Sequence, residues 1–179
     1  MDPNELERFE AVVLPHLDAA YTLARYLTHD DHAAEDVVQD AALRAVKYFS
    51  GFRGTSGADG RAWLLTIVRN TAYSALRSAP TQGVAAEVFD EEQHSASGAD
   101  EDPSVDFDRQ ETRDRLRDAL AQLPAEFREV IVLREIQDLS YQEISDITAV
   151  PVGTVMSRLS RARQRLKREL VRAGKEPVR

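Results

Sequence analysis

Residues 139–170 read LSYQEISDITAVPVGTVMSRLSRARQRLKREL, and this stretch decides the fold. Ser140-Tyr-Gln-Glu143 is an S-x-x-E capping box, which starts a helix at a defined residue. Tyr141, Ile144 and Ile147 follow at helical spacing and give that short helix one apolar side. Thr148-Ala-Val-Pro151 interrupts the pattern, because proline disfavours helical geometry in the residue before it. A second helix is predicted to begin near Pro151–Thr154, with Val155, Leu159, Ala162, Leu166 and Leu170 on its apolar side. Arg158, Arg161, Arg165, Arg168 and Arg172 recur on another side. Two helices joined by a tight turn, the second basic and opening with small polar residues, describe a helix-turn-helix.

The N-terminal end of a recognition helix enters the major groove, which suits the small hydrogen-bonding side chains Thr154, Ser157 and Ser160. Arginines farther along can read guanine edges or hold phosphates. Residues 151–179 hold nine Lys or Arg against two Asp or Glu, in a chain of formal net charge −8. Positive charge concentrated in so acidic a chain points to a polyanion, and duplex DNA is the favoured one. A solvated basic face on an ordinary C-terminal helix is the alternative.

Working outward, the 179-residue length allows one large domain or two small ones. There is no long apolar run, so no membrane insertion is expected, and the acidic N-terminus does not read as a secretory signal. The absence of cysteine excludes disulfides and thiolate zinc sites and fits a cytoplasmic protein. Upstream, helical periodicity predicts helices over residues 4–14, 16–28, 32–48 and 61–77. Leu6, Phe9, Val13 and Leu14 are expected inward in the first, and Val37, Val38, Ala41, Ala45, Val46 and Phe49 in the third. Ser50–Gly60 contains four glycines and is expected to be an irregular loop. Residues 79–111 carry ten acidic side chains against one basic, with scattered Ser, Gly and Pro, and read as a linker. Its charge would keep the flanking domains from collapsing on each other. Helices over 109–122 and from Pro124 to about Ile136 then support the helix-turn-helix. The predicted fold is all-α: an N-terminal helical bundle (1–79), a flexible acidic linker (80–111) and a C-terminal helix-turn-helix domain (112–179).

Four segments stand in a recognisable order: HAAEDVVQDAALRAV at 32–46, RAWLLTIVRNTAYSALR at 61–77, LPAEFREVIVLREIQDLSYQEIS at 123–145 and VPVGTVMSRLSRARQRLKREL at 150–170. Together they resemble bacterial sigma factors of the extracytoplasmic-function group of the sigma-70 superfamily, over about residues 10–78 and 110–172. The resemblance implies a subunit that binds core RNA polymerase at the clamp helices of its largest subunit and contacts promoter DNA, duplex and single-stranded. It places Glu35, Asp36, Gln39, Asp40 and Arg44 on the polymerase-docking face. It places Phe52 and the glycine-rich loop where a flipped −10 base is captured, with Arg69, Asn70, Tyr73 and Arg77 bordering the melted strand. Trp63 matches the family's tryptophan in that helix. Thr154, Met156, Ser157, Arg158, Ser160 and Arg161 match the positions that read the −35 element, and Arg134 matches a phosphate contact. An anti-sigma factor is implied as a further partner.

Two other readings are a stand-alone helix-turn-helix regulator and a sigma-like antagonist that lacks promoter recognition. Residues 1–78 show none of the alternating strands of a receiver domain, and the basic helix is intact. No phosphate loop or nucleophile–base pair is present, so no enzymatic activity and no cofactor are expected. His29-Asp-Asp-His32 followed by Glu35-Asp36 holds metal-ligand types, but such residues are common where helices start, and no metal is expected.

Overall fold

The computed structural model describes residues 2–78 and 103–173, with side chains from residue 110 onward in the second span. The acidic stretch from 80 to 102 lies outside the described residues. Helix α1 (Pro3–Val13) is capped by Asp2, whose carboxylate accepts from the Glu5 N–H at 2.7 Å, with proline at its first position. A 3-10 turn, Leu14–His16, leads into α2 (Leu17–Thr28), which ends on His29 in left-handed geometry (φ 59°). Asp30 then caps α3 (Asp31–Tyr48) through the Ala33 N–H. A second 3-10 turn, Phe49–Gly51, and the short loop 52–56 connect to α4 (Gly57–Ser78).

In the second span, α5 (Pro103–Ala121) begins within the stretch read as linker. Then come α6 (Ala125–Ile131), a π-helical turn (Val132–Ile136), α7 (Tyr141–Thr148) and α8 (Val152–Ala173). The capping box forms as expected: Ser140 Oγ accepts from the Glu143 N–H at 3.2 Å, and Glu143 accepts from the Ser140 N–H at 2.7 Å. Those bonds to Ser140 hold the Glu143 carboxyl below its usual range. Ala149 takes left-handed geometry, Ser145 Oγ donates to the Val150 carbonyl at 2.6 Å, and the Pro151 carbonyl accepts the Thr154 and Val155 N–H groups. That is the tight turn of a helix-turn-helix, held by local hydrogen bonds.

Leu23, Leu27, Leu64, Leu65 and Val68 fill the front core, and Leu120, Val130, Leu133, Ile144, Ile147, Val155 and Leu159 the rear one. Each large side chain so buried contributes about 1.5–3 kcal/mol. The fold is all-α among the described residues, as predicted. Three expectations fail locally. Leu6, Leu14 and Val46 are 47% exposed and Leu170 38%, at the edges of the apolar stripes to which they were assigned. The glycine-rich segment is helical from Gly57, four residues before the predicted start, because Ser56 and Asp59 cap that turn reciprocally. The two halves are also not held apart: one continuous cluster of buried side chains runs through both, and α4 packs on α7 and α2 on α6.

Candidate nucleic-acid interface

On α8, Met156, Ser157, Ser160 and Arg161 form an exposed patch on the first two turns, with Met156 52% exposed. Thr154 is half-buried at the helix start, and its carbonyl accepts from Ser157 Oγ at 3.0 Å. Several neighbouring cations have internal partners. Arg158 sits 3.9 Å from Glu126, Arg163 pairs with Glu135 at 2.6 Å, and Arg165 lies over the Phe127 ring. Arg161, Lys167 and Arg168 form no ion pair among the described residues. Arg134 donates to the Leu139 carbonyl at 2.8 Å and covers the Tyr141 ring at 5.2 Å. It therefore braces the entrance to α7.

Around residue 52, where the resemblance places capture of a flipped base, the aromatic ring is turned inward. Phe52 is 7% exposed; its ring stacks on Phe49 at 5.7 Å and tilts against Trp63 at 4.9 Å, while Phe9 meets Phe49 edge-on. Burial of aromatic area drives this, so Phe52 anchors the loop from below. What the loop presents to solvent is Arg53, Thr55 and Ser56.

Along α4, Asn70 and Arg77 are exposed, whereas Arg69 and Tyr73 are drawn into the boundary between the two halves. There Glu129, on α6, has no solvent exposure. Arg69 pairs with it through Nε and donates a second bond at 3.4 Å, and the Tyr73 hydroxyl donates to it at 3.2 Å. Arg69 also lies 4.7 Å over the Tyr73 ring. Burial pushes the Glu129 carboxyl above its usual range, while Arg69 and Tyr73 oppose that shift. Burial, aided by the Glu129 charge, raises the Tyr73 phenol to about 12. Next to it, Arg128 is 5% exposed and donates to the Ala121 carbonyl at 3.2 Å and to Nε2 of His29. An accepting Nε2 means a neutral ring protonated at Nδ1, and burial, then Arg128, lowers His29 to about 4. Arg61 donates to the carbonyl and the side-chain oxygen of Gln137 at 2.6 and 2.7 Å, and Gln137 donates on to the Ala19 carbonyl at 3.1 Å. His29, Arg128, Glu129 and Gln137 went unrecognised in the sequence as an interface. Asp30 and Asp31, beside His29, serve the α3 cap and an ion pair with Arg25.

On α3, Glu35, Asp36, Gln39, Asp40 and Arg44 are all exposed and share one side of the helix. Leu43 stands among them, 69% exposed, an apolar residue that the sequence reading left out.

Comparison with known proteins follows this division. Residues 12–80 match the family model described as Sigma-70 region 2, and residues 113–166 match Sigma-70, region 4. The chain is 34% identical to the RNA polymerase sigma-H factor of Pseudomonas aeruginosa, across 90% of this chain and 86% of that one. It is 35% identical to the ECF RNA polymerase sigma-E factor of Escherichia coli K12, across 81% and 76%. Among solved structures it is similar to the sigma factor RpoE of Bartonella quintana, crystallised with the anti-sigma factor NepR: TM-score 0.71, 31% identity, 92% and 97% coverage.

Proposed function

Because the chain belongs to the extracytoplasmic-function sigma factors of the sigma-70 superfamily, which direct RNA polymerase to start transcription at particular promoters, we propose a residue-level division of that work. The exposed patch Met156–Ser157–Ser160–Arg161 reads the −35 element in the major groove, with Thr154 and Arg158 at its edge. Arg134 braces the entrance to α7 and meets phosphate only if it leaves Tyr141. The observation that carries this reading is the free Arg161 on a capped helix-turn-helix whose other arginines are largely engaged internally. A planar guanidinium without an internal partner suits a guanine edge or a phosphate.

The melted −10 strand runs over loop 52–56 and along α4 past Asn70 and Arg77. Arg69 and Tyr73 belong to the same track, but Glu129 holds them in this conformation. Strand engagement then requires the two halves to separate, which suits a subunit that exposes its DNA surfaces only once it is docked. The exposed face of Glu35, Asp36, Gln39, Asp40 and Arg44 meets the clamp helices of the largest polymerase subunit. A polar interface of this kind suits a subunit that later dissociates. The similarity to a sigma factor crystallised with NepR supports an anti-sigma factor as a partner here as well. The bond-making chemistry stays with the polymerase, and this chain acts by binding.

Transcription with purified core polymerase on promoters varied at both elements tests this. Start-site selection that depends on both elements is expected. Initiation no more selective than that of core enzyme alone would overturn it.

A further inference from the structure

The loop that carries Phe52 holds Gly54 and is flanked by Gly51 and Gly57, and such a segment is entropically costly to order. Its downstream end is tied by the Asp59 carboxylate, which accepts from the Thr55 and Ser56 N–H groups at 3.0 Å each. Its upstream end is tied by the buried Phe52 ring, and the turn folds back so closely that a Cβ on Gly54 would lie 2.2 Å from Phe52 Cζ. Between these ties stand two carbonyls, of Phe52 and Gly54, on either side of the exposed Arg53. Both accept from the guanidinium of Arg8, at 3.1 Å each. The same guanidinium lies 5.2 Å from the Phe49 ring centroid and 5.6 Å from that of Phe52.

Arg8 reaches the loop because α1 is fixed against α4. A Cβ on Gly60 would meet Val12 Cγ1 and the Val12 carbonyl at 2.4 Å each, so only glycine admits this crossing. Val12 is one helical turn from Arg8, so the contact that seats α1 also aims Arg8 over residues 52–54. Arg8 precedes residue 12, where the region 2 match begins.

We propose that Arg8 is a positioning residue for promoter melting: by bridging the carbonyls of Phe52 and Gly54 beneath its cation–π contact, it sets the loop that accepts the unpaired −10 base. This rests on the assignment of loop 52–56 to the −10 element. Between the Phe52 and Asp59 ties, the two charge-assisted hydrogen bonds to Arg8 set how the backbone of residues 52–54, and with it Arg53, is presented. Both bonds leave one nitrogen, Nη2, so a lysine ammonium could restore a bond to the carbonyls but not the planar guanidinium that lies over the Phe49 and Phe52 rings.

The test compares the full chain with Arg8→Ala and Arg8→Lys, each assembled with core polymerase, by thermal melting, core affinity and permanganate reactivity of −10 thymines. Transcription is also compared between promoters that differ only at the flipped base. Arg8 is exposed, so unchanged melting and unchanged core affinity are expected in both variants. Open-complex formation should fall roughly tenfold in Arg8→Ala, the scale of one or two such hydrogen bonds, and discrimination at the flipped base should narrow. Arg8→Lys should recover part of the opening but little of the discrimination. Parent-like opening and discrimination in Arg8→Ala would overturn the proposal. So would an opening defect that tracks loss of core affinity or of thermal stability. Failure of the unsubstituted chain to select start sites would instead defeat the reading of the loop itself.

Discussion

Arg69 on α4 and Glu129 on α6 form an ion pair across the boundary between the two halves of the chain, and the Glu129 side chain has no exposure to solvent. Tyr73, one turn beyond Arg69, adds a hydrogen bond to the same carboxylate. A carboxylate in such a place is tolerated only while its partners stay with it, since desolvation of a lone charge costs several kcal/mol. The pair thus couples the packing of the two halves to the occupancy of two side chains on the proposed strand-binding track.

Glu129→Ala should therefore loosen the boundary. The expected loss is about 3 kcal/mol of stability in urea unfolding, as for removal of one member of a buried pair. Glu129→Gln, which keeps the shape and one acceptor, should cost less. Release of Arg69 and Tyr73 should also strengthen binding of a single-stranded −10 oligonucleotide to the free chain. Parent-like stability and oligonucleotide affinity in Glu129→Ala would argue that the pair holds nothing.

A pH dependence follows from His29. Burial first, and Arg128 second, lower it from 6.5 to about 4, so the packed form refuses a proton that an opened chain would accept. The opened state binds more protons between those values, so stability rises with pH there. The contribution of His29 is complete above about pH 6.5 and is lost as pH falls toward 4. Arg128 faces the ring from α6, while the neighbouring Asp30 and Asp31 are engaged at the α3 start, in the cap and in an ion pair with Arg25. Stability measured from pH 7 to pH 4 should decline less steeply in His29→Asn, since asparagine tolerates the left-handed backbone but does not titrate. Identical slopes would count against this role.

Arg161→Ala should reduce discrimination among −35 sequences by about 1–3 kcal/mol in duplex binding. Arg134→Ala should behave differently: its guanidinium supports the Leu139 carbonyl and the Tyr141 ring, so the loss should register in thermal stability before it registers in sequence preference. Equal −35 selectivity in parent and Arg161→Ala would remove Arg161 from the reading surface.

At the proposed polymerase-docking face, Leu43→Ala should leave stability within about 0.5 kcal/mol, because the side chain is mostly in solvent. Core polymerase affinity should fall roughly tenfold if Leu43 is the apolar centre of a polar patch. Asp36→Arg combined with Asp40→Arg should impair co-purification with core enzyme while the chain stays helical by circular dichroism. Undiminished co-purification in both variants would dismiss this face.

Much of the molecule was legible without coordinates because its signals are local. The capping box at Ser140, the proline at 151 and the apolar spacing from Val155 to Leu166 each act within a turn or two and form as read, whereas Leu170, the last residue of that spacing, is 38% exposed. Local rules misjudged residues whose environment comes from elsewhere in the chain. Arg128 and Glu129 look like the polar side of an amphipathic helix, but every residue from Phe127 in α6 through Leu133 in the π-helical turn is buried. Arg128 and Glu129 inside the run FREVIVL were the available clue, and they point to partners only when another helix is known to cover them. Phe52 looked like an exposed aromatic in a flexible loop because Phe9, Phe49 and Trp63 come together only in three dimensions.

The sequence by itself determined the all-α class, the helix-turn-helix, the polar face of α3 and the family, because periodicity, caps and charge runs are set by neighbours a few residues apart. Only the tertiary structure decided that the two halves share a core, that Glu129 holds Arg69 and Tyr73, and that Arg8 bridges the Phe52 loop. Those contacts join residues from 44 to 60 positions apart, and whether such groups meet depends on how whole helices cross.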